Sequence, residues 1–101
     1  MGRYDDMNEI VSLEEAEKEK EFFVTKSEEI RLKVIELKEA KTTERHPHVM
    51  NLIEKDIDEK EREITRYERV ISDWDIAIER INSGGEVSHR DKPSLHHRLT
   101  I

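Results

Sequence analysis

MNLIEKDIDEKEREITRYERVISDWDIAIERI, residues 50–81, is the stretch that decides the fold. Met50, Ile53, Ile57, Lys60, Ile64, Tyr67, Ile71, Trp74, Ile78 and Ile81 recur at alternating steps of three and four, and only Lys60 among them is not apolar. Apolar residues at that step lie on one side of a helix and form a coiled-coil seam. Working back along the chain, Leu13, Ala16, Lys20, Phe23, Ser27, Ile30, Val34 and Leu37 repeat the step. The chain therefore carries two helices, each with a stripe able to cover the other.

The boundaries follow from local chemistry. Ser12 with Glu15 makes a capping box, in which the hydroxyl accepts a free amide at the helix start and the carboxylate reaches back, so a helix is expected over 13–41. His46 precedes Pro47, whose ring disfavours helical geometry one residue before it and suits the first turn of a new helix. The seam also changes phase there, since continuing the first heptad would place its next position at His48 and the second helix needs Met50. That offset predicts a turn and a second helix over 47–82, ended by Ser83, Gly84 and Gly85. Folded antiparallel about residue 45, the stripes set Leu37 near Ile53, Val34 near Ile57, Phe23 against Tyr67 and Ala16 opposite Trp74. Lys20 and Lys60 interrupt the seam in the manner of residues that fix register while their stems reach solvent.

Three stretches are expected: a short amphipathic segment over 1–11 (Tyr4, Met7, Ile10, Val11), the hairpin over 12–83, and a flexible tail over 84–101 without sustained periodicity. The fold class is all-α, an antiparallel two-helix coiled-coil hairpin with a short N-terminal helix, self-association being the route to a four-helix bundle. Composition agrees with a thin fold: of 101 residues, 34% are hydrophobic and 43% charged, too few apolar side chains for a thick core. There is no cysteine, which excludes disulfides, thiolate catalysis and cysteine-type zinc sites. The first residues lack the basic-then-apolar order of a secretory signal and no long apolar run occurs, so a cytoplasmic protein with no membrane contact is expected.

Two surfaces stand out as binding candidates. Val70, Trp74, Ala77, Ile78 and Ile81, with Ile71, make a stripe too wide for one partner helix. Residues 4–11, a second copy of the chain or another protein can cover it, and self-association is the expectation adopted. The tail supplies the second surface: Arg90, Lys92, Leu95, Arg98, Leu99 and Ile101 combine cations with apolar anchors in the pattern of a segment that orders on a partner. Residues 1–83 carry 23 Asp/Glu against 15 Lys/Arg, a balance of −8, whereas residues 84–101 carry two against three, or +1.

Other chemistries fit less well. His46 and His48 flank Pro47, and His96 adjoins His97, but neither pair has the i, i+4 spacing that points two imidazoles at one metal. Glu28, Glu29, Asp56, Asp58, Glu59, Glu61 and Glu63 lie off the seams, on positions expected to face water, and the Glu-x-x-His pattern of di-metal bundles occurs at Glu86 and His89, where no helix is expected. No catalytic, cofactor-binding or metal residue is assigned and no cofactor is expected. The sequence thus reads as a non-enzymatic coiled-coil interaction or assembly module, an adaptor or accessory protein with a protein partner, expected to be a homo-oligomer and not to bind nucleic acid directly. The main alternative is an acidic inhibitor that mimics nucleic-acid charge and blocks a nucleic-acid-binding protein. It needs carboxylates gathered on one face, whereas Lys26, Lys33, Lys55, Arg62, Arg66 and Arg69 are interleaved among them in sequence. A metal-dependent helical-bundle hydrolase is the remaining alternative.

Overall fold

A computed structural model of the chain describes residues 10–95. Helix α1 spans Leu13–Thr43 and helix α2 spans Pro47–Asn82, followed by a single 3-10 turn at His89–Asp91. The helices pack against each other along their length in a rod of 63 × 25 × 22 Å. The hairpin expected from the two stripes is present. α1 starts where the capping box places it, the Glu15 amide donating to Ser12 Oγ at 3.0 Å. It ends two residues later than expected. The Thr42 and Thr43 hydroxyls donate to the carbonyls of Glu39 and Ala40, which lets both residues sit in the last turn. Pro47 opens α2 at its first turn.

The end of α2 is a Schellman motif. Gly84, at φ +94°, occupies the left-handed position, its amide donating to the Ile81 carbonyl at 3.1 Å while the Gly85 amide donates to Arg80 at 2.8 Å. A Cβ on Gly85 would stand 3.1 Å from the Arg80 carbonyl oxygen and closer still to the Arg80 side chain, so any larger residue would crowd Arg80 at this reversal.

The seam holds two apolar clusters. Toward the tip, Val34, Ile57 and Ile64 are buried, with Ile30, Leu37 and Ile53 packed around them. Toward the base, where the two ends of the described chain lie, Val11, Ala16, Phe23, Val70, Trp74, Ala77 and Val87 form a larger cluster. The partners expected across the seam fall in common clusters, and the Phe23 and Tyr67 rings meet edge-on with centroids 5.9 Å apart. Ser27, the one buried polar residue of the seam, satisfies its hydroxyl by donating to the Val24 carbonyl at 2.8 Å.

The base is built differently from the sequence expectation. Ile10 and Val11 are not helical: Ile10 pairs with Ser88 in an isolated antiparallel bridge, and the Val11 amide donates to the Val87 carbonyl at 2.8 Å. The rest of the expected N-terminal helix, residues 1–9, lies outside the described residues. Residues 85–95, expected as part of a flexible tail, run back over the hairpin as a strap, burying Val87 and Pro93 and setting Leu95 against the core. Two polar contacts tie the strap to α1, His89 Nε2 lying 3.1 Å from the Glu15 carboxylate and Lys92 forming an ion pair with Glu19 at 3.5 Å. Apolar surface that has a covering within reach leaves water, and the turn at Gly84–Gly85 brings the covering into reach.

Candidate functional site

The strap decides which of the expected surfaces is free. Val70, Trp74 and Ala77 are buried within the single chain, Trp74 completely, and Ile71, Ile78 and Ile81 are half-buried against the same cluster. The stripe is indeed too wide for one helix, but Val11, Val87 and Leu95 cover its excess width, and no second copy is needed to keep it dry. Trp74 does not face outward as a contact for another molecule. Its indole N–H has no acceptor among the described residues. The tail candidates divide. Arg90 is exposed, Lys92 is engaged with Glu19 and Leu95 is half-buried, while Arg98, Leu99 and Ile101 lie outside the described residues.

With that stripe covered, the accessible surface consists of two flanks, where the helices meet, and two outward faces. One flank carries the strap. The other carries interhelical ion pairs: Lys20 with Asp75 at 2.6 Å, Arg31 with Glu68, Lys38 with Glu61 at 3.6 Å and Lys41 with Glu54 at 2.7 Å. The acids recur every seventh residue of α2, and their partners rise along α1 as they descend along α2, so the ladder records the antiparallel register. These side chains are about half exposed, and such pairs contribute roughly 0–1 kcal/mol each, more to orientation than to stability. The two seam lysines are accounted for, Lys20 by Asp75 and Lys60 by Asp56 one turn earlier at 3.2 Å.

The outward faces are sorted by charge. On α1, Glu14, Glu17, Glu21, Glu28, Glu36 and Glu39 are exposed on the side away from α2, with Lys18 the cation among them. Lys26 and Lys33, interleaved in sequence, sit toward the strap flank of the helix; Lys26 pairs with Glu29 at 3.7 Å. The corresponding side of α2 exposes Lys55, Arg62, Arg66, Arg69 and Arg80, with Asp58 and Glu59 among them. None of these α2 cations forms an ion pair with another described residue. Charge weighed along the chain does not reveal this division, because acids and cations alternate in sequence and separate only around the helix. The signal was present in the heptad spacing of Glu14, Glu21 and Glu28 and of Lys55, Arg62 and Arg69.

The depressions on the surface are shallow and open. A cleft of about 270 Å³ between α2 and the strap brings Asp73, Arg80, Glu86 and Asp91 beside Ile76 and Pro93. A groove on the ladder flank is lined by Arg31, Ile35, Lys38, Glu61 and Glu68 around Val34 and Ile64. Among the described residues, no three His, Cys, Asp or Glu side chains are grouped so that they could hold a metal ion. His46 and His48 are exposed at the tip, where the His46 amide donates to the Glu44 carboxylate at 3.1 Å, and His89 is engaged with Glu15. No described helix is long and apolar enough to cross a membrane. Compared with known protein families, curated proteins and solved structures, the chain shows no significant match.

Proposed function

We propose that this chain is a non-enzymatic protein–protein interaction or assembly module, a hairpin strut whose outward helix faces are its working surfaces. The observation that carries the reading is the sorting of exposed charge onto opposite faces of the rod, acids on α1 and unpaired cations on α2. Stability does not require that sorting, because the buried core is formed by the seam and strap, whereas recognition uses it: complementary potentials steer encounter and reject wrong partners. A cytoplasmic setting and action without a cofactor belong to the same proposal, as does a protein partner, which can be a copy of the chain.

The test is capture of binding proteins by the intact chain and by face variants. Glu21→Lys with Glu28→Lys alters one face and Arg62→Glu with Arg69→Glu the other; Lys38→Ala alters only the ladder. The reading expects loss of a defined set of proteins with at least one face pair and retention with Lys38→Ala. Equal recovery by all of them would remove it.

A second reading, the acidic inhibitor that mimics nucleic-acid charge, is favoured by the α1 face alone, where glutamates stand on one side of a long helix with little cationic interruption. It expects only the α1 pair to matter, and added duplex DNA to displace the captured protein. DNA without effect on capture counts against it.

A further inference from the structure

We infer that copies of this chain associate edge to edge, the acidic outward face of α1 in one copy seating against the cationic outward face of α2 in the next. The inference rests on the interaction-module reading and names a partner and a surface for it.

The heptad step supplies the match. Residues seven apart on a helix lie nearly above one another, about 10.5 Å along the axis. Along the edge of the outward face of α1 that borders the ladder flank this series reads Glu14, Glu21, Glu28, Ile35, and on the outward face of α2 it reads Lys55, Arg62, Arg69, Ile76. Each is therefore a run of like charge followed, one step on, by isoleucine. Both isoleucines are exposed, Ile35 at 52% and Ile76 at 57%, as are Phe22, Leu32 and Leu52 elsewhere on the two helices. Glu14, Glu21, Glu28, Lys55, Arg62 and Arg69 all lack an ion-pair partner among the described residues.

When α1 of one copy and α2 of another run parallel, the two series come into step. Glu14 faces Lys55, Glu21 faces Arg62, Glu28 faces Arg69 and Ile35 faces Ile76. The same alignment sets Lys18 opposite Glu59 and Glu39 opposite Arg80, neither used in defining it. Glu17 opposite Asp58 is a like-sign pairing that opposes it. An antiparallel arrangement can also pair acids with cations, but it separates the isoleucines, so the apolar contact selects the parallel one.

The geometry has a consequence for assembly. The interface joins two different faces, so it is heterologous: a pair of copies leaves one acidic and one cationic face open, and growth continues unless a ring closes. The second hairpin is turned end over end relative to the first. Each copy also has a formal net charge of −7, which opposes association and makes it weak and concentration-dependent.

Sedimentation velocity over a wide concentration range, with the two face-reversed proteins, tests the inference. Wild type should sediment faster as concentration rises. Glu21→Lys/Glu28→Lys alone and Arg62→Glu/Arg69→Glu alone should remain monomeric, and an equimolar mixture should recover faster-sedimenting species, because the reversed α1 face of one variant then meets the reversed α2 face of the other. All four positions are exposed, and circular dichroism checks that the variants stay folded. A wild type that is monomeric throughout, or a mixture no larger than its components, overturns the inference; the broader reading survives if face variants still lose other protein partners. Alignment is tested by mixing Ile35→Cys with Ile76→Cys under mild oxidation, since the chain has no cysteine of its own. A mixed disulfide dimer is expected, well above what either variant forms alone, and its absence overturns the parallel alignment.

Discussion

The tip and base halves of the hairpin are made from the same seam pattern but reach different degrees of burial. At the tip, two helices alone enclose Val34, Ile57 and Ile64, and Leu37 and Ile53 beside them remain partly open. At the base, a third layer formed by Val11 and the strap closes over the stripe, and Trp74 and Ala16 lose all contact with water. Two helices shield little more than the line between them, and full burial needs a covering on the flank as well. The wide stripe on α2 is thus the counterpart of the strap.

If the base carries the stability, the largest loss should come from Trp74. Trp74→Ala removes a fully buried indole and is expected to destabilise by about 3–5 kcal/mol in chemical denaturation. Trp74→Phe should cost markedly less, because it keeps an aromatic ring and removes an N–H whose burial without an acceptor costs roughly 1–3 kcal/mol. Equal losses from the two variants would mean that the indole is not the centre of the base.

Freeing the strap should come next. Val87→Asp places a carboxylate in a site that is 6% exposed and should lift the strap without dissolving the helices. Trp74 is the only tryptophan, so its emission should move to longer wavelength while helical ellipticity is largely kept. Unchanged emission would show that the strap does not control access to the indole.

At the tip, Ile64→Ala is expected to cost about 2 kcal/mol, at the low end for such truncations, since the two-layer site is open enough for neighbours to relax. Hydrogen exchange gives an independent measure. Amides around Trp74 should exchange through rarer openings than those around Ile57, and the reverse order would invert the comparison. The smallest effect belongs to the ladder: Lys38→Ala should change stability by no more than about 0.5 kcal/mol, measured by thermal melting in low and high salt.

Much of this architecture was legible in the residues. The three-and-four step located both seams, Pro47 located the turn, and Ser12 and Gly84 located the outer helix ends, because each acts through its immediate neighbours. The strap was not legible. It has no period, and its apolar residues Val87, Pro93 and Leu95 acquire meaning only once the glycine turn lays them on α2. Ile10 and Val11 misled for a related reason, since at these two residues an extended pairing with Val87 and Ser88 takes the place of the expected helix. The charged faces lay between these cases: their repeat could be read, but the face each residue joins depends on where the partner helix packs.

The bridge between Ile10 and Ser88 also sets how the molecule bears mechanical load. Because the two ends of the described chain lie side by side, tension that draws them apart acts first on that bridge and the Val11–Val87 hydrogen bond. It then meets the seam one pair of facing residues at a time, in the unzipping geometry that yields at low force. Tension applied between the tip and the base instead pulls along the helix axes and meets the hydrogen bonds of whole helices together. The hairpin is compliant when its ends are parted and stiff when drawn lengthwise.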